Sequence, residues 1–154
     1  MATAQETFKS TLMTVVGQAY EAAGYQLEDL PVQQASGQFR FKKPLDDDLK
    51  GFIEYQLLHY VDSEWAAGMP SRFRVTLTRT DQTNPRSKSD HTAYVQRDLG
   101  TLVVEDFGVV ILPSGNHWWQ FKNMDQLGKT LAEAGHLVIG YGIPWLGGDL
   151  EPDE

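Results

Sequence analysis

Three consecutive aspartates, Asp46, Asp47 and Asp48, stand just ahead of Glu54 in the stretch PLDDDLKGFIEYQ. Carboxylate oxygens are what hard divalent cations take as ligands, so a metal-dependent hydrolase is one chemistry this spacing admits. A lysine two residues beyond the second acid would help hold the attacking water, and it is missing, since that element reads Glu54-Tyr55-Gln56. Asp48-Leu49-Lys50 has the right letters but falls in an expected turn, and consecutive aspartates between strands also make an ordinary solvated turn. The histidines, His59, His91, His117 and His136, offer no pair at the four-residue spacing of a zinc-binding helix, and no cysteine completes a site. A G-x-S-x-G elbow is absent, and the glycines of GYGIPWLGG do not have the spacing of a phosphate loop.

Aromatic residues make the other candidate. In LPSGNHWWQFK, Trp118 and Trp119 follow His117 directly. Adjacent residues of a strand point to opposite faces, so one indole enters the core and the other lies on the outer face. An exposed tryptophan is a common anchor for a partner. Trp145, in GIPWLGG, is placed by the sequence to close over the same region, and Tyr55 and Tyr60 could complete an aromatic pocket with Trp118 and Trp145. His117 is expected to be a bystander.

The elements that position these residues follow from patterning. Thr3 and Glu6 form a capping box, and Phe8, Leu12, Val15, Val16, Ala19, Tyr20 and Ala23 recur at helical spacing. A helix over about 4–23 follows, stopped by Gly24. YQLEDLPVQQASGQ then reads as a connection with a short strand at its start. QFRFKK, GFIEYQLLHY and SRFRVTLTR read as strands, the last with Phe73, Val75 and Leu77 inward and Arg72, Arg74, Thr76 and Thr78 outward. Such alternation implies an antiparallel sheet with one wet face. TDQTNPRSKSDHT is expected to be a long exposed loop in which nothing packs. Composition is divided over 94–112, where we expect a short helix near 94–106 and a strand near 109–112. Asn123 and Gln126 cap a final helix carrying Leu127, Leu131, Ala134, Val138 and Tyr141. Gly142 and Pro144 mark its expected stop, and Gly135 a place where it could break sooner.

Composition bounds the rest. The chain has 154 residues, enough to bury a proper core in one domain, with 41% hydrophobic and 11% aromatic residues. With no cysteine, disulfides and thiol chemistry are excluded, which is compatible with a reducing cytosol. The N-terminal segment lacks the features of a signal peptide, and no stretch approaches the roughly 20 apolar residues of a membrane helix. A cytoplasmic protein without membrane contact is expected. A net charge of −8 disfavours nucleic acid, whose phosphates need clustered Lys and Arg. Part of that charge sits in residues 148–154, GDLEPDE, an expected acidic tail beyond a single α+β domain over 1–147.

The opening helix ending in Gly24-Tyr25, the strand FRVTLTR, then HWWQF, a capped helix and the closing YGIPWL together resemble small bacterial proteins of the domain of unknown function 4304 type. The resemblance lies in element order and tryptophan positions over most of residues 5–147, and residues 80–112 depart from it. It implies an α+β fold and a role as an immunity or interaction protein. No catalytic residues come with it.

The expected fold is an antiparallel sheet of about four or five strands with an N-terminal and a C-terminal helix packed on one face. The leading functional expectation is a non-catalytic protein-binding domain, immunity-like or regulatory, with a basic protein partner, no cofactor and no metal. The alternatives are a small-ligand binder with the aromatic pocket described above and a metal-dependent hydrolase on Asp46, Asp47, Asp48 and Glu54.

Overall fold

A computed structural model describes residues 3–46, 48–59 and 70–152. Asp47, Tyr60 and Trp65 lie outside these. The architecture is α+β, an antiparallel sheet with the N-terminal and C-terminal helices packed on one face.

Helix α1 (Ala4–Leu12) opens where the Thr3 hydroxyl accepts a hydrogen bond from the Glu6 amide at 3.0 Å. It continues through a π-helical turn, Met13–Gly17, into α2 (Gln18–Ala22). The stop at Gly24 is as expected, with φ at +94°. A two-residue strand, β1 (Gln26–Leu27), and a short helix, α3 (Pro31–Ala35), lead to the central strands β2 (Gln38–Asp46), β3 (Leu49–Leu58) and β4 (Ser71–Thr80). Strand order is β1-β2-β3-β4-β5, and β6 also pairs with β4.

Strands β5 (Val95–Asp98) and β6 (Trp119–Phe121) share one edge of β4: Val95–Asp98 lies along Thr76–Arg79, and Trp119–Phe121 along Ser71–Phe73. Between them the chain makes an excursion through α4 (Leu99–Thr101) and a second π turn, Leu102–Asp106. The helix expected over 94–106 is thus a strand in its first third and helical only from Leu99. Its first residues pair with β4, a gain in cross-strand bonding that local helical spacing does not reveal. The strand expected near 109–112 does not form: Val110 and Ile111 are exposed in a bent segment, and Leu112 alone is buried.

One sheet face, built of Phe39, Phe41, Ile53, Tyr55, Phe73, Val75 and Leu77, is buried with Phe8, Leu12, Val16 and Tyr20 of the N-terminal helix and Leu127, Leu131, Ala134 and Val138 of the C-terminal helix. Phe8 sits centrally, 5.3 Å from the Phe39 ring and 5.5 Å from Phe73. The final helix, α5 (Met124–Leu137), is capped by Asn123, whose side chain accepts from the Gln126 amide. Gly135 does not break it. A β-carbon there would lie 2.7 Å from Val16 Cγ1, so the glycine lets the two helices approach closely. Nor does the helix stop at Gly142 and Pro144: a third π turn, Val138–Gly142, leads into α6 (Ile143–Leu146). Pro144 falls in the first turn of α6, where no amide proton is needed. Arg79 reaches the helix end from the sheet, its Nη1 donating to the Leu146 carbonyl at 3.1 Å and its Nε to Ala93 at 2.8 Å. The Leu146 carbonyl is one of those a helix end leaves without a donor of its own.

The Tyr20 and Tyr55 hydroxyls share a 2.6 Å hydrogen bond inside the core. Burial raises both pKa values, with the neighbouring tyrosine adding to the rise at Tyr20. Tyr20→Phe should therefore cost about 1–3 kcal/mol by stranding the Tyr55 hydroxyl, whereas the double Phe variant should lie much nearer to wild type. Urea titration of the four-member cycle measures this. Groups whose pKa is raised on folding stabilise the fold below their unfolded value and lose that contribution above it. Alkaline unfolding should accordingly begin above about pH 10, the ordinary tyrosine value.

A polar cleft on the open face of the sheet

Residues that alternate with the core-facing set point away from the helices. Strand register places Arg40, Glu54, Thr76 and Asp98 side by side in one row across β2, β3, β4 and β5. Gln38, Gln56 and Arg74 form the next row, and Lys42, Phe52, Thr78 and Gln96 the row on the other side. The floor of a cleft of about 320 Å³ comes from Glu54, Thr76 and Asp98 of the first row, the whole of the second row and Gln96 of the third, roofed in part by Arg86 from the loop after β4.

That loop is not the unpacked segment that its composition suggests. Pro85 is buried, its carbonyl accepts from Gln96 Nε2 at 3.4 Å, and the same amide reaches the Thr78 hydroxyl at 3.0 Å. The Gln82 amide donates to Thr80, and Ser89 donates to Asp81 at 2.6 Å. Phe52, Thr78 and Thr80 are fully buried on this side of the sheet, so the loop covers one half of the open face and leaves the other half as the cleft.

In and beside the cleft the charges are unevenly satisfied. Arg40 pairs with Glu28 at 3.2 Å, and Asp98 accepts from the Thr76 hydroxyl at 3.0 Å. Glu54, Arg74 and Arg86 enter no ion pair within 4.0 Å among the described residues. Burial pushes the Glu54 carboxyl above its ordinary range; Arg40 and Arg86 draw it down, and Glu28 adds to the rise. A carboxyl raised on folding favours the fold while protonated and loses that advantage as pH climbs through its native value. Glu54→Gln should thus raise Tm at pH 7, and the difference should shrink toward pH 3. Thermal melts of both proteins across that range read it directly, and equal gains at both ends would show that charge burial is not the cause.

Trp118 lies at the edge of this surface. It is half-buried, with the guanidinium groups of Arg72 and Arg74 at 4.5 and 4.8 Å from its ring centroid. Trp119 faces the other way, only 2% exposed, stacked on Phe73 at 5.6 Å with its indole N–H donating to Glu133 at 3.2 Å. The two indoles divide between the faces as strand alternation requires. His117 packs edge-on to Trp119 at 4.8 Å. Burial lowers its pKa, against the pull of Glu133.

The other sequence candidates do not converge. Tyr55 is wholly buried on the helix side. Trp145 lies in α6, where its carbonyl meets Arg79, about 20 Å along β4 from Phe73 at roughly 3.3 Å per residue. Tyr60 is outside the described residues. The expected aromatic pocket therefore does not assemble from Tyr55, Trp118 and Trp145. Asp46 ends β2 and Asp48 lies in the following turn, whereas Glu54 is five residues into β3 from Leu49, about 17 Å away. Among the described residues no group of three or more His, Asp or Glu is placed to hold a metal ion. Glu54 instead shares a cleft with Thr76, Asp98 and Arg86, residues that no spacing in the sequence connects. No described helix is long and apolar enough to cross a membrane.

No protein-family model matches the chain, and comparison with curated proteins and with solved structures finds no match.

Proposed function

We propose that the protein is a non-catalytic protein-binding domain, immunity-like or regulatory in kind, and that the helix-free face of its sheet is the recognition surface. The supporting observation is Trp118, held half-exposed between Arg72 and Arg74 beside a polar cleft. Aromatic and arginine side chains that are already ordered make strong anchors, because little side-chain freedom is lost on binding. The resemblance to domain of unknown function 4304 proteins agrees with this reading.

Charge assigns two roles to the surface. A net charge of −8 attracts a basic partner over distance. The contact face itself is mixed, with Arg40, Arg72, Arg74 and Arg86 beside Glu54 and Asp98, so close contact is made by an aromatic anchor and matched polar groups.

A photo-crosslinking amino acid at Gln120, which lies opposite Arg72 on this face, tests the proposal in the cells that make the protein. One discrete protein adduct is expected, and it should be lost when Arg74→Glu is added. Adducts from a probe at exposed Ile139, in the π turn after α5, but none from Gln120 would overturn the reading.

A further inference from the structure

We propose that the cleft on the open face is a binding site for a small zwitterion of amino-acid or dipeptide size, its carboxylate held by Arg74 and Arg86 and its ammonium by Glu54 and Asp98. The inference goes beyond the partner-binding reading and does not rest on it.

Charge balance is the first argument. Arg40 is engaged by Glu28, so the groups left to a ligand are two guanidiniums and two carboxylates. They share one cleft without pairing with one another. An anion would approach Glu54 and Asp98, and a cation would approach Arg74 and Arg86. Only a molecule with both charges meets each group favourably.

Placement is the second. Glu54 and Asp98 flank Thr76 on strands two apart, which puts their α-carbons about 10 Å from each other. An ammonium above Thr76 lies between the two acids and can donate to the threonine oxygen, whose own proton goes to Asp98. Arg74 stands one row along β4 on one side of the acids, and Arg86 comes from the loop that covers the Thr78–Gln96 row on the other side, so the two guanidiniums flank the acids and close on a carboxylate held above the ammonium. A charged carboxyl set into the floor gains a partner when such a ligand arrives.

Size and polarity are the third. A volume of about 320 Å³ is at the small end of ligand sites, which run roughly 300–1,000 Å³. The lining is amides, hydroxyls and charges, and this disfavours an apolar ligand. Gln38, Gln56 and Gln96 can select among zwitterions by hydrogen bonds to a side chain or peptide group.

The test uses the full chain, with the proteinogenic L-amino acids and the dipeptides Gly-Gly, Ala-Ala, Gly-Asp and Asp-Gly as probes at millimolar concentration. Thermal-shift measurement comes first and isothermal titration of the responders second. At least one probe should bind with a dissociation constant at or below the millimolar range, and its N-acetyl or C-amide form at least tenfold more weakly. Glu54→Gln and Arg86→Ala should each weaken binding tenfold or more, and Lys129→Ala, on the exposed side of α5, should not. The melting temperature of each variant without ligand, read in the same thermal-shift measurement, separates loss of binding from loss of folding. The proposal is overturned if no probe gives heat or a shift, if capped and free forms bind alike, or if binding survives both substitutions. Partner capture through Gln120 is read separately, so either idea can fail alone.

Discussion

Replacing Trp119 by alanine should cost about 3–5 kcal/mol, whereas the same change at Trp118 should cost about 1 kcal/mol. The chemistry removed is the same and the positions are adjacent, so the contrast isolates the environment. Trp119 is 2% exposed, stacked on Phe73, and holds Glu133 through its indole N–H. Its loss leaves a cavity where β6 meets β4, beside the Phe8, Phe73 and Phe121 rings, and a packed core closes over such a space only in part. Trp118 gives up two cation–π contacts at a surface where water replaces it. Urea denaturation monitored by circular dichroism checks both variants. At this chain length the Trp119 loss corresponds to a fall of roughly 10 °C in Tm. Equal costs at the two sites would mean that they do not divide between core and surface. Trp118→Ala should meanwhile abolish partner capture with the fold intact.

Gly37→Ala should be nearly as damaging, at roughly 2–5 kcal/mol, although it adds a single methyl group. Two costs combine there. The backbone has φ of +88°, where an L-side chain is strained by about 1–3 kcal/mol. The new β-carbon would also sit 2.5 Å from the Leu57 carbonyl oxygen, a backbone atom that cannot rotate aside. Relief requires moving β3 relative to the turn, yet the Leu57 amide is held by the Gly37 carbonyl at 2.7 Å. Forced overpacking of this kind adds about 1–3 kcal/mol. Gly108 is the control: its φ is +69°, but a β-carbon there meets nothing within 4 Å. Gly108→Ala should pay the backbone cost alone. If both variants melt alike, the close approach at Gly37 contributes nothing.

Much of the fold is legible in single residues. Thr3 and Asn123 announce their helices because a cap is a local event, complete within four residues. Phe73, Val75 and Leu77 announce β4 and its buried side for the same reason. What escapes depends on contacts far apart in sequence. Val95–Asp98 holds one β-branched residue and becomes a strand only because Thr76–Arg79 has an open edge to pair with. The loop after β4 has a solvent-facing composition, and its fold is set by hydrogen bonds to Gln96 and Thr80. The final helix outruns its expected end because a π turn places Pro144 where proline is harmless. The cleft follows the same rule. Glu54 is visible as a carboxylate, but its neighbours Arg40, Thr76 and Asp98 are set by register, and Arg86 by the course of a loop. The sequence attaches Glu54 to Asp46 and Asp48, and the sheet carries it away from them.

The narrow margins of the sheet limit how this protein can associate. A long bare strand at a sheet's border is a template on which another chain can add itself by main-chain hydrogen bonding. Among the described residues, one border here is the two-residue β1, beyond which β2 continues into Lys43 and Pro44. The other border is divided between β5 and β6, four residues and three, with the chain turning away between them. Neither offers an uninterrupted ladder. Fibril-like stacking and capture of an extended peptide as an extra strand are both disfavoured by this construction, and association is directed to the broad surfaces of the molecule.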